Sequence, residues 1–185
     1  MILNTTQTWG SVAKVLHWGS ALVIFSMFVL GWAAVLTPLS PTKLDLFMWH
    51  KSIGLSLLGV VFARMTWRMA NPTPCPPENA SGLEQFLARS GHTAMYACMI
   101  LMPVSGYVIN STADFAFRLF GWVRIPNIIP ADKAVQDLAE LVHLCAFWAF
   151  LLLICMHIAA ALRHHRVKNN NVLSRMLPTR PNRRR

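Results

Sequence analysis

ELVHLCAFWAFLLLICMHIAAALRHH, residues 140 to 165, decides how the rest of the chain is read. Crossing a hydrocarbon core of roughly 30 Å takes about 20 apolar residues as a helix, and this run is long enough. Yet it carries His143 and His157. Lipid gives an imidazole no hydrogen-bond partner, so an ionisable residue at that depth points to function. Their separation makes about 21 Å of rise and close to four turns, so both histidines fall on one helix face near opposite membrane surfaces.

Outward from this run, 55% of the 185 residues are apolar and only 13% charged, which excludes an ordinary soluble domain. Three further runs reach membrane length, at 15–36, 48–69 and 92–110, with the fourth at 138–162. The expected fold is therefore all-α: an integral membrane four-helix bundle forming one domain over residues 1–177, with a basic tail at 178–185. Lys14 ahead of the first run resembles the start of a signal peptide, but the run is long and lacks a clean processing site, so a retained span is expected. The linkers TPLSPT and NPTPCPPENASG, and a longer loop with Gly121, Pro126 and Pro130, carry the usual helix breakers. Cys75, Cys98, Cys145 and Cys155 form no C-x-x-C pair, so neither a zinc knuckle nor covalent haem attachment is encoded.

The net charge of +10 sits in loops and tail. Lys14, Arg64, Arg68, Arg89 and eight basic residues from Arg163 to Arg185 share one side; Lys43, Lys51, Arg118, Arg124 and Lys133 share the other. The positive-inside rule puts both termini in the cytoplasm. RVKNNNVLSRMLPTRPNRRR then reads as a tail facing lipid headgroups, and no nucleic-acid partner is expected.

In this topology four histidines fall at two levels. His17 and His157 lie near the cytoplasmic ends of their spans, His50 and His143 near the outer ends. Two neutral imidazoles from different helices at each of two depths suit the two axial positions of a b-type haem iron. Small residues one turn on leave room for a flat macrocycle: Ser20 and Ala21 after His17, Gly54 after His50, Ala146 after His143, Ala160 and Ala161 after His157. His92 is followed by Met95 and Tyr96, which would crowd a ring, so it is read as a polar residue on the cytoplasmic side, near a propionate, and not as a ligand. A haem-free proton or metal transporter is the rival, although none of the seven acids lies mid-membrane.

LHWGSA around His17, WHKSIG around His50, VFARMTWR leading into NPTPCPP, SGHTAMY, STADFAFRLFGW and HLCAFWAFLLLICMHIAAALRHH together resemble the bacterial cytochrome b561 family, from about Trp9 to Leu177. The resemblance implies a four-helix dihaem cytochrome of the bacterial inner membrane, multi-pass, with two b haems on His17, His50, His143 and His157. The pairs would be His17 with His157 and His50 with His143. One member of that family oxidises superoxide at the outer face and passes the electron to ubiquinone. The implied work is therefore single-electron transfer between the quinone pool and an outer donor or acceptor, with superoxide as a candidate. A related arrangement is a haem-bearing anchor subunit for a separate periplasmic oxidoreductase, as in hydrogenase cytochrome subunits.

Haem propionates need cations. Arg64 and Arg68 are candidates for the inner haem, and Lys51, Arg118 and Arg124 for the outer. His164, two turns beyond His157 on nearly the same face, is the candidate quinone contact at the cytoplasmic rim.

Overall fold

The computed structural model of the chain describes residues 1–77 and 79–178. The last seven residues of the basic tail, 179–185, lie outside the described residues. Four long helices are found among them: α1 (Ser11–Leu36), α2 (Pro41–Ala70), α3 (Gly82–Thr112) and α4 (Lys133–Arg166). All four are long and apolar enough to cross a membrane. Each extends beyond its apolar run, and in α2, α3 and α4 polar side chains cap helix starts that hydropathy alone does not detect. Ser40 accepts from Lys43 N–H with Pro41 in the first turn, Ser81 and Glu84 form a reciprocal capping box, and Asp132 accepts from the Ala134 and Val135 amides.

Residues 113–132, expected to be a plain loop, hold a hairpin of β1 (Phe117–Leu119) and β2 (Val123–Ile125), with Arg118 directly opposite Arg124. Its turn runs through Phe120 and Gly121 at φ 50° and 81°. The left-handed backbone at Phe120 is held from outside: its amide donates to Ser52 Oγ of α2 at 2.9 Å, and its ring lies 5.8 Å from Trp49. After α4 the chain turns into α5 (Val172–Met176).

Alternation of helices and connections sends successive spans in opposite directions. The N-terminal segment, the α2–α3 linker and α5 meet at one end, here the terminal end. There Asn4 donates to the Pro72 carbonyl, Cys75 N–H to the Thr6 carbonyl, Arg175 to the Cys75 carbonyl and Lys14 Nζ to the Leu177 carbonyl. The hairpin marks the opposite end. The closest seams join α1 to α2 and α3 to α4; α2 meets α3 more loosely, and α1 meets α4 sparsely.

Most large apolar side chains, such as Leu22, Phe25 and Val29 of α1, face outward where lipid would lie. The interior plug is small: Ile24, Leu57, Val61, Met99 and Phe150, flanked by Phe28, Met95, Cys98 and Ile154. Phe150 stands seven residues from each histidine of α4, so the plug separates the two histidine levels.

Candidate functional site

At the hairpin end, α2 supplies His50 and α4 supplies His143, with ring centroids 6.5 Å apart. At the terminal end, α1 supplies His17 and α4 supplies His157, with centroids 6.2 Å apart. One helix therefore forms a wall of both sites, and the other wall comes from a different helix at each level.

Polar contacts decide which ring nitrogen is free. Ser105 Oγ directs its one proton to the Leu101 and Met102 carbonyls at 2.8 and 3.0 Å. Hence its 2.9 Å contact with His143 Nδ1 makes that nitrogen the donor and leaves Nε2 with the lone pair. His50 Nδ1 is buried and lacks a well-formed hydrogen bond, with the Met27 carbonyl in looser contact. Two glycines on facing helices admit these rings. A Cβ at Gly31 of α1 would fall 2.9 Å from His50 Cε1, and one at Gly106 of α3 would fall 3.5 Å from His143 Cε1.

The terminal end differs. Arg64 reaches from α2 to His17 Nδ1 at 2.8 Å and to Ser20 Oγ at 2.9 Å. A guanidinium only donates, so this contact holds the lone pair of His17 at Nδ1. His92 of α3 also joins the site: its ring centroid lies 5.4 Å from that of His157. The ring-room argument set His92 apart from the other four, and in the fold it is the third imidazole of the terminal-end cluster. Sequence spacing offered no signal for this, since the approach is set by the packing of α3 on α4.

The remaining sequence candidates divide. Lys51 Nζ donates to Asn110 Oδ1 at 2.8 Å and lies 5.2 Å over the Phe115 ring. Arg68, like Arg64, stacks on Tyr96, at 5.9 and 5.4 Å to the ring centroid. Arg118 and Arg124 are exposed on the hairpin. His164 is tied locally, its Nδ1 taking a hydrogen bond from the Asn170 amide at 2.8 Å. Lys14, three residues before His17 and only 9% exposed, was counted in the sequence as a topology charge, yet it lies inside the terminal end. Among the described residues, the only ion pairs are Glu84 with Arg163 and Lys168, and Lys133 with Asp137. Among the described residues, none of the cations beside the histidines has a carboxylate partner.

The family model described as prokaryotic cytochrome b561 matches residues 8–179. The chain belongs to that family. Cytochrome b561 homolog 2 of Escherichia coli (strain K12) is 32% identical over 94% of this chain and 93% of its own length. A probable superoxide oxidase CybB of Yersinia pestis is 26% identical over 88% of this chain and 92% of its own. Cytochrome b561 homolog 1 of Escherichia coli (strain K12) is 26% identical over 89% and 94%. This is accordingly a multi-pass cytochrome of the bacterial inner membrane, concerned with electron transport, and its family cofactor is b-type haem.

The residues fit that group. With a metal–imidazole bond of about 2.0 Å and about 1.1 Å from ring nitrogen to ring centre, two imidazoles on opposite sides of one metal have centroids about 6.3 Å apart. The observed 6.2 and 6.5 Å bracket that value. Lys14, Arg64, Arg68 and Lys51, which pair with no carboxylate among the described residues, fit a cofactor that brings carboxylates of its own.

Proposed function

We propose that this cytochrome moves single electrons between the membrane quinone pool and a donor or acceptor at the outer face, through two b haems. The inner haem takes His17 and His157 and the outer takes His50 and His143, with both termini cytoplasmic. Residues 1–177 act as one membrane unit and 178–185 as a basic tail. The observation that carries this is the pair of imidazole spacings, 6.2 and 6.5 Å, on a shared helix.

When bound by these histidine pairs, haem would supply a reversible one-electron couple. The protein's own groups do the rest. Ser105 fixes the tautomer and orientation of His143. His17 would hold the inner haem through Nε2 with Nδ1 protonated, and Arg64, which now donates to Nδ1, would then be free to bind a propionate. Arg68 and Lys14 are further cations for the inner carboxylates, and Lys51, Arg118 and Arg124 for the outer. The apolar plug around Phe150 keeps water out of the space between the levels, so charge crosses as electrons.

Superoxide is the candidate outer donor, supported by the relative named a probable superoxide oxidase. Two superoxide ions would give two electrons and leave two O2, and with two protons reduce one quinone to quinol. A second reading, an anchor subunit for a periplasmic oxidoreductase, draws on the hairpin, where Trp122 is 86% exposed beside the opposed Arg118 and Arg124. Recovery of a stoichiometric partner after mild detergent extraction would favour it.

Haem content and a reduced-minus-oxidised spectrum test the main proposal. Two haems per chain are expected, with His143→Ala losing the outer and His157→Ala the inner. No b-type absorption change would leave a haem-free transporter, and loss of the same haem from both variants would remove the two-level assignment.

A further inference from the structure

The β1–β2 hairpin sets Arg118 directly opposite Arg124, with both residues exposed. Among the described residues neither pairs with a carboxylate. We propose that this hairpin is a lipid clamp, in which the two arginines hold the phosphate of an anionic phospholipid while Trp122 and Val123 lie against its glycerol and acyl chains. The assignment does not rest on the electron-transfer reading. It moves the two arginines from the outer propionates, where Lys51 remains, to the membrane surface.

Three observations support it. Like charges directly opposite one another on paired strands are destabilising, and side chains so placed start about 5 Å apart at Cβ. An anion between the two guanidiniums removes that repulsion, and a phosphate has oxygens enough to take forked hydrogen bonds from both. The apolar surroundings specify what carries the phosphate. Trp122 is 86% exposed, and Val123 and Ile128 are exposed with it, a surface that a free phosphate would leave bare and an acyl chain covers. Finally, the hairpin sits at the depth of the membrane boundary. Ser52 holds the Phe120 amide and Trp49 lies against the Phe120 ring, so the hairpin meets α2 where the apolar run from Met48 begins. Exposed indoles at that depth, Trp49 and Trp122, match the preference of such rings for the lipid–water boundary. About 16 Å of helix rise separates the start of α2 at Pro41 from Ser52, and about 15 Å separates the start of α4 at Lys133 from His143. Both helix starts therefore stand farther out than the attachment of the hairpin. A soluble partner meets them first, whereas lipid reaches the hairpin from the side.

The test uses the haem-loaded full chain in nanodiscs of phosphatidylcholine and in an equal mixture of phosphatidylcholine and phosphatidylglycerol. Amide exchange over residues 117–125 should slow at least fivefold in the mixture. With Arg118→Gln and Arg124→Gln together, exchange should differ by less than twofold between the two nanodiscs. A wild-type difference below twofold, or an equal slowing in the double variant, overturns the assignment. The wild type also decides without a change at either arginine. Brominated-chain phosphatidylglycerol should quench the fluorescence component that is missing in Trp122→Phe at least twofold more than brominated-chain phosphatidylcholine does, and equal quenching overturns the assignment. Slowing of exchange by inorganic phosphate in pure phosphatidylcholine, to the extent seen with phosphatidylglycerol, assigns the pair to a free anion and overturns it. Loss of the outer haem from the double variant returns the arginines to the propionates and overturns it too. A stoichiometric soluble protein recovered with the wild type but not with the double variant gives the hairpin to a protein partner, with the same result.

Discussion

A matched pair of alanine substitutions asks whether the hairpin-end imidazoles are pinned from their far side. The Cβ added by Gly31→Ala would lie 2.9 Å from His50 Cε1 and 3.3 Å from Nδ1. Ordinary carbon contacts are about 3.5–4.0 Å, so the ring must retreat by at least about half an ångström. A free imidazole at the end of a flexible side chain does this by turning a little about its torsions, for about 1 kcal/mol at most. An imidazole bound to a metal has no such freedom, since displacements of about 0.5 Å already spoil a functional constellation. Gly31→Ala should therefore weaken the outer haem by about 10–100-fold, the usual scale for disturbing the support of a metal ligand. Gly106→Ala is the control: its Cβ meets His143 Cε1 at 3.5 Å and Nδ1 at 3.8 Å, ordinary contact, so both haems stay. Pyridine haemochromogen content per chain and a potentiometric titration resolving the two haems are the assays. Two haems at wild-type potentials in Gly31→Ala, or identical behaviour of the two variants, would refute the pinning of His50.

Ser105→Ala removes the acceptor for His143 Nδ1–H, making the imidazole a poorer electron donor; the outer haem potential should rise by tens of millivolts, roughly 60 mV corresponding to a tenfold change in a one-electron equilibrium, and a fall would contradict the tautomer derived from Ser105. Arg64→Met removes a positive charge beside His17, so the inner haem potential should drop by a comparable amount while the outer is unmoved; an equal shift in both would place Arg64 elsewhere in the electrostatics. Ser52→Ala leaves the Phe120 amide without its partner, at a cost of about 1–3 kcal/mol, and amide exchange through the hairpin should accelerate about tenfold or more with both haems retained.

What could be read from the sequence depended on which contacts are local. The four spans were legible because length and apolarity are properties of one segment, and the two histidine levels because alternating topology orders the span ends. Their polar extensions and the hairpin were not, since three-residue strands carry almost no pattern and this hairpin is fixed by a distant partner, Ser52. The closeness of His92 to His157 was not legible for a similar reason. Met95 and Tyr96 describe the room on its own helix, whereas its approach to His157 is set by how α3 lies on α4. Gly31, Gly106 and Ser105 likewise act on histidines of other helices, which no single-segment periodicity reports. Lys14 was within reach: three residues before His17, it shares that histidine's helix face, but a lysine at a span end was weighed for topology alone.

The unpaired cations give the reason to expect that haem loading is part of folding. Lys14 is buried and donates to the Leu177 carbonyl, Arg64 is shared between Ser20 and His17, and Lys51 rests on Asn110 and Phe115. Removing one partner of a buried ion pair typically costs about 3–5 kcal/mol because the other charge is left uncompensated. Among the described residues no carboxylate pairs with these cations, and haem propionates would supply the compensating charges. Two haems would bring four carboxylates, two to each level, together with a metal bond for each of the four imidazoles. The haem-free chain should consequently loosen at both ends while the plug around Phe150 holds, because that plug contains no polar group waiting for a partner. Protease sensitivity of protein expressed under haem limitation checks this directly, with early cuts expected in residues 71–81 and 113–132 and slow ones within the spans. Uniform resistance in the haem-free chain would mean that these cations are satisfied without the cofactor, and would remove the electrostatic case for propionates at either level.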